Sequence, residues 1–326
     1  MWSTEDTGGA HRGRSHYPGR VPPRSSFLHL SIVTAVLGLV GGELCAVTEP
    51  PPDPVHLGLY EWMATAPIVI AADVVADDGK FVQAVARAAI KGGLTVNTVV
   101  LVDLRRANRD REAGAAALDL TKGRAYLMLL TASTRRSSEP SPIYDLVRGV
   151  RGAKALPLEG SAATIAAASR MAEVQERNSD DYLWATLPDF LEDPNPVLVD
   201  AALDLYVKFR RESAALVPSV QPLLEHPRPD FRRRAALLLG HVLVRAGASG
   251  VPERPRLVAE LTGRARRDDD VTVRREATSA LAALPDAGID ETLRLIAHDD
   301  PDQHVRFEAE KAIFERSQLA APKRSD

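Results

Sequence analysis

The C-terminal half of this 326-residue chain repeats itself, and that limits its fold more than any other feature. Ala202, Ala235, Ala277 and Ala309 lie 33, 42 and 32 residues apart. Nine places before them stand Asp193, His226, Asp268 and Asp300, followed by Pro194, Pro227, Asp269 and Pro301. Leu198, Phe231, Val273 and Val305 occupy the position four before each alanine, and Tyr206, Leu239, Leu281 and Ile313 the position four after. Apolar residues at this spacing share one helix face, and an alanine between them lets a neighbouring helix come close. Asp followed by Pro predicts a helix start, where a carboxylate accepts from unpaired N–H groups and proline is tolerated. At the position three before the alanine come Val199, Arg232, Arg274 and Arg306, the arginines being expected to pair with their own repeat's aspartates.

A second apolar helix is expected after each of the first three units, over Ala214–Leu224, Arg256–Ala265 and Ile289–Ala297. Helix pairs at this interval predict an α-solenoid over residues 160–318, able to fold by itself. Helices at 161–178 and 181–191 would cap it, and 319–326 would be a disordered tail.

The segments Asp270-Val271-Thr272-Val273-Arg274-Arg275-Glu276-Ala277 and Asp300-Pro301-Asp302-Gln303-His304-Val305-Arg306-Phe307-Glu308-Ala309 resemble the HEAT-repeat family, most closely its phycobilisome-lyase type. The resemblance implies an interaction scaffold and no lyase activity. It also implies that the second helix of each pair lines the concave side. Those helices carry Arg256, Glu260 and Arg264, then Glu291, Arg294 and His298, each set at a spacing that shares one face. The mixed signs fit a polar protein or peptide partner, and an ordinary solvated face is the competing reading.

Residues 55–157 read differently. Ile68–Val75 is a β-branched run, and Asp78-Gly79 is a hairpin signal. Phe81–Ile90 alternates with period two, although its alanines also allow a helix. Thr98–Leu104 and Ala125–Leu130 are further strands, the second entered through the turn Thr121–Arg124, and a last strand is expected at Ile143–Val150 after a Ser/Pro-rich loop. Together these predict a small all-β barrel, or a sandwich. The order of features, ending in Lys122-Gly123-Arg124-Ala125-Tyr126-Leu127, resembles the bacterial relatives of the tissue-inhibitor-of-metalloproteinase OB-fold domain. The inhibitors' cysteine framework is missing from it. Tyr60, Trp62 and Met63 are expected in the core or at a domain interface, with Glu61 a solvated neighbour.

Residues 1–26 carry four arginines, Phe27–Val40 is apolar, and small residues follow at Gly41-Gly42 and Ala46. The apolar run is short for a bilayer core of about 30 Å and suits a signal peptide over residues 1–46. A Pro-rich linker at 47–54 follows. The alternatives are an uncleaved anchor or a lipoprotein acylated at Cys45. Export is the expectation, to the periplasm or beyond, with no integral span in the mature form.

A net charge of −3 gives no field that would mark nucleic acid as a partner. The basic clusters Lys208–Arg211, Arg232–Arg234 and Arg264–Arg267 are interleaved with nearby acids and read as a salt-bridged, solvated face. One cysteine excludes an internal disulfide and a thiolate metal cluster. His56, His226, His241, His298 and His304 show no zinc spacing, and His298–His304 reads as a loop and cap. No nucleotide or nucleophile-elbow motif occurs. The expectation is therefore an exported, non-enzymatic scaffold without cofactor or metal, binding another protein through its solenoid. The alternative is an envelope sensor whose β domain binds a carbohydrate or peptide.

Overall fold

A computed structural model describes residues 58–109, 118, 120–134, 142–147, 149–211, 213–247, 249–286 and 288–320. The expected signal segment with Cys45, the expected linker and most of the Ser/Pro-rich loop lie outside the described residues.

A short helix, α1 (Leu59–Ala64), precedes the hairpin of β1 (Ile68–Asp77) and β2 (Phe81–Lys91). The turn is the one expected at Asp78-Gly79. Gly79 has φ 79°, and Asp78 Oδ1 accepts from the N–H groups of Lys80 and Phe81 at 2.8 and 2.6 Å. In β2 the strand alternative wins over the helix. Val82, Ala84, Ala86 and Ile90 are buried while Gln83 and Arg87 are exposed.

β3 (Val99–Asp103) ends one residue before the expected strand does, because Asp103 turns the chain into α2 (Leu104–Arg109). Its carboxylate accepts from Arg105 N at 2.9 Å and from the Arg105 guanidinium at 3.0 Å. β4 (Ala125–Ala132), β5 (Ile143–Leu146) and β6 (Ala153–Ala155) complete the sheet, β5 being shorter than expected. The strands run in the order β1-β2-β3-β5-β4, and β4 pairs back on β1, so five strands close a barrel. Among the described strands only β3 and β5 pair in parallel. Three register shifts in the β1–β2 ladder supply the local bending that closure of so small a barrel needs.

Both faces of β1 and β4 are buried. Ile70, Ala72, Val74, Met128 and Leu130 fill the barrel, whereas Val69, Ala71, Leu127 and Leu129 join a second cluster with Ala167, Ala168 and Met171 of α3 (Ser161–Glu176). This explains why Ile68–Ala72 and Ala125–Leu130 read as unbroken apolar runs. It also means that the barrel, besides filling its own interior, shares a second core with the helices. Met63 is fully buried in that seam. Trp62 Nε1 donates to Arg151 O at 2.7 Å, and Gln175 Nε2 to Tyr60 O at 2.6 Å. Glu61 is not merely solvated: it forms an ion pair with Lys208 of the helical region.

After α3 come α4 (Asp180–Leu191), α5 (Pro196–Phe209), α6 (Val217–Val220), α7 (Pro229–Ala246), α8 (Arg254–Arg267), α9 (Val271–Ala282), α10 (Ile289–Asp299) and α11 (Gln303–Ala320). The expected tail is thus helical to Ala320. The expected helix at Ala214–Leu224 is broken into α6 and two flanking 3-10 turns, as Pro218 and Pro222 remove N–H donors. Ala202, Ala235, Ala277 and Ala309 are all fully buried, on α5, α7, α9 and α11. α7 and α9 also approach closely at Gly240, where an added Cβ would stand 2.7 Å from that of Ala280.

Two expectations about the repeat are corrected. Asp193, Asp268 and Asp300 do not cap their helices. The caps lie two residues later: Asn195 accepts from Val197 N, and Asp270 accepts from Thr272 N and Val273 N. Asp302 likewise accepts from His304 N and Val305 N, at 2.8 and 3.2 Å. The earlier aspartates instead accept from the N–H two residues on, at 2.8, 3.0 and 2.8 Å, and His226 Nδ1 takes that place in the second unit at 3.1 Å. The prolines after them sit in the loop, not in the first helical turn.

Nor do the arginines pair within their own repeat. Arg232 donates Nε and Nη2 to Asp268 at 2.9 and 2.8 Å, and Arg274 donates the same two groups to Asp300 at 2.8 and 3.2 Å. Each reaches the following repeat, while its Nη1 donates to a carbonyl of its own loop: His226 O at 3.0 Å and Asp268 O at 3.0 Å. Arg232 and Arg234 are buried, so that cluster is no solvated face. Arg234 is ringed by Asp200, Asp204 and Asp230.

Candidate functional site

α8 is amphipathic. Leu257, Leu261 and Ala265, four residues apart, are buried against the array, and Arg254 is clamped beneath by Asp286 at 2.9 and 2.5 Å. The flank about 100° round the helix carries Arg256, which is exposed, and Glu260 and Arg264, which are half-buried. The neighbouring turns at 214–225 do not pack closely along it, and a groove of about 440 Å³ opens between them.

Its walls are held by mixed-sign contacts. Glu260 Oε1 accepts from Arg256 Nε at 2.9 Å, and both its oxygens accept from Gln221 Nε2, at 2.9 and 3.0 Å. Arg264 Nη2 reaches Glu225 Oε1 at 2.9 Å and its Nη1 lies 3.5 Å from Asp268. Burial works to raise the Asp268 carboxyl, but the Arg232 hydrogen bond and the Asp270 N–H outweigh it and hold the group below its ordinary value. At Gly263 a Cβ would meet only Arg267 Nη2, at 3.4 Å, so the groove is open there. Arg267 also lines it and is exposed.

Arg256, Glu260 and Arg264, expected on one face from their four-residue spacing, therefore line one groove. Glu291 and Arg294 do not join them. They bond to each other at 3.1 Å on α10, both exposed, and form no part of the groove lining. Gln221, Glu225 and Gly263 escaped the sequence reading. The first two lie about one repeat away on an irregular element, and a helical glycine facing outward was their only local signal.

A second recess, of about 290 Å³, lies at the seam of barrel and helices and is lined by Tyr60, Lys91, Gln175, Asn178, Asp180 and Leu183. Lys91 Nζ donates to Gln175 Oε1 at 3.2 Å, and partial burial, opposed by the charge of Glu176, pulls its pKa down. Burial and the charge of Asp180 push the Tyr60 hydroxyl up. Among the described residues no group of three or more His, Cys, Asp or Glu side chains is placed to hold a metal. In the 298–304 segment His298 bonds Asp299 at 2.5 Å, Asp300 is held by Arg274, and Asp302 serves as the α11 cap.

Residues 217–314 match the family model of HEAT repeats, so the helical region following the barrel carries HEAT repeats. No curated protein matches the chain. Among the described residues no helix is long and apolar enough to cross a membrane. Repeats of this kind typically serve as protein-interaction scaffolds, which points to a protein partner.

Proposed function

We propose that the chain is an exported, non-enzymatic scaffold that binds a polar segment of another protein in the groove beside α8. The observation that carries the reading is the convergence of Arg256, Glu260 and Arg264 on one open, mixed-sign groove within the HEAT repeats. Alternating signs select a partner with complementary charges rather than a polyanion. The test is affinity capture with the full chain against the Arg256→Glu, Arg267→Glu double variant, both side chains being exposed. Loss of a partner that wild type and Arg294→Glu retain supports the reading, and equal retention by all three overturns it.

Export rests on the basic, apolar and small-residue succession over residues 1–46. N-terminal sequencing should find a mature start between residues 43 and 47, and a soluble cytoplasmic product retaining Phe27–Val40 would refute this part. The barrel's strand order, its parallel β3–β5 pair and the helix after β3 support an OB-like assignment and hence the inhibitor-related resemblance. The finer phycobilisome-lyase type rests on Val273-Arg274 and Val305-Arg306, and it brings no lyase activity. A second reading, a small-ligand sensor, is favoured by the seam recess around Lys91. Lys91→Met should abolish binding of an oligosaccharide or peptide if this reading holds.

A further inference from the structure

The arginine series has a third member without its acid. Arg306 makes the bonds to its own loop, donating Nη1 to Asp300 O at 2.7 Å and Pro301 O at 3.1 Å. No carboxylate among the described residues reaches its Nε or Nη2, the groups that in Arg232 and Arg274 bind the following repeat.

Neighbouring positions tell the same story. The residue two before the repeat alanine faces the next repeat, since Arg233 there lies 3.5 Å from Glu276. The residue five after it does too, as Gly240 does against Ala280. On α11 these two positions are Phe307 and Phe314, each 64% exposed. This face of α11 presents two phenyl rings beside a guanidinium whose Nε and Nη2 meet no carboxylate among the described residues.

We infer that this face of α11 docks a helix of a partner polypeptide, entered through a loop whose aspartate or glutamate completes the Arg306 fork. Apolar side chains of that helix would cover Phe307 and Phe314. Because Phe314 stands where Gly240 stands in α7, the incoming helix must keep a greater distance than α9 keeps from α7. A second copy of this chain is the poorer occupant, for its own loop acids are engaged: Asp193 with Arg170, Asp268 with Arg232 and Asp300 with Arg274. This surface is independent of the groove beside α8.

The test uses the full chain and, as probe, a synthetic peptide of residues 254–284, which holds α8, α9 and the loop acid Asp268. Fluorescence anisotropy should show saturable binding. Arg306→Gln in the chain, or Asp268→Asn in the peptide, should weaken it about tenfold or more, and the two together no further. That pattern is the signature of a direct pair. Phe314→Ser should weaken binding as well while leaving the thermal midpoint nearly unchanged. Absence of saturable binding, or indifference to Arg306→Gln, overturns the inference. So does a concentration-dependent dimer of the chain that Phe314→Ser abolishes, which would assign the face to a second copy.

Discussion

Arg274 and Asp300 belong to consecutive repeats, and the guanidinium of one holds the carboxylate of the other at 2.8 and 3.2 Å with both side chains largely withdrawn from water. Removing the acid leaves a buried cation without its counter-charge. Asp300→Ala should therefore cost on the order of 3 kcal/mol of unfolding free energy. Arg306→Ala, whose guanidinium meets no carboxylate among the described residues, should cost less than about 1 kcal/mol. Urea titration of the two variants checks this, and equal losses would show that the pairs do not hold the repeats together.

Acid should loosen the contacts made by Asp268, Asp286 and Asp302. The Arg232 hydrogen bond and the Asp270 N–H more than offset burial at Asp268, the Arg254 hydrogen bond acts mainly on Asp286, and the Val305 N–H on Asp302. All three carboxyls are held below their ordinary 3.8. A depressed folded-state pKa contributes stability above the ordinary value and loses it as pH falls through the lower one. Asp204, raised by burial, runs the opposite way, its contribution being lost as pH rises through its folded value. The melting temperature should fall as pH drops below about 4, and Asp268→Asn should flatten that fall. A slope unchanged by the substitution would contradict the assignment.

Two helical glycines should behave oppositely. Gly240→Val forces a side chain into Ala280 and should cost roughly 1–3 kcal/mol, as overpacking does. Gly263→Ala, facing the groove, should gain up to about 1 kcal/mol of helix stability. Thermal melts of both variants decide it.

The shared core makes a further demand. Ala167, Ala168 and Met171 pack with Val69, Ala71, Leu127 and Leu129 of the barrel, so a fragment of residues 160–320 exposes that surface. It should remain helical by circular dichroism yet melt well below the full chain. Met171→Ala in the full chain should cost about 2–4 kcal/mol. A fragment as stable as the whole would mean the seam contributes little.

The repeat was legible because its alanines and flanking apolar residues obey one period, and each of those four alanines is buried as that period requires. The direction of the Arg–Asp pairs was not. A pair such as Arg232 and Asp268 is 36 residues apart, and spacing alone does not say whether an arginine turns back to its own loop or forward to the next. α1 and α2 are six residues each, too short to show a helical period, and α2 hides behind the strand that Asp103 ends. Closure of the barrel depends on β4 returning to β1, a pairing more than fifty residues apart that local alternation cannot reveal. In the groove, α8's own charges were readable from four-residue spacing. Gln221 and Glu225 were not, because Pro218 and Pro222 erase the helical period of the wall they stand on.

Hydrogen–deuterium exchange of the full chain with and without a captured partner tests the scaffold reading most directly. The account predicts slowed exchange in residues 256–267 and 221–225, the two walls of the groove, and unchanged exchange in β1 and β4. Protection confined to the barrel strands and the Lys91 recess, with the walls of the groove unaffected, would contradict it.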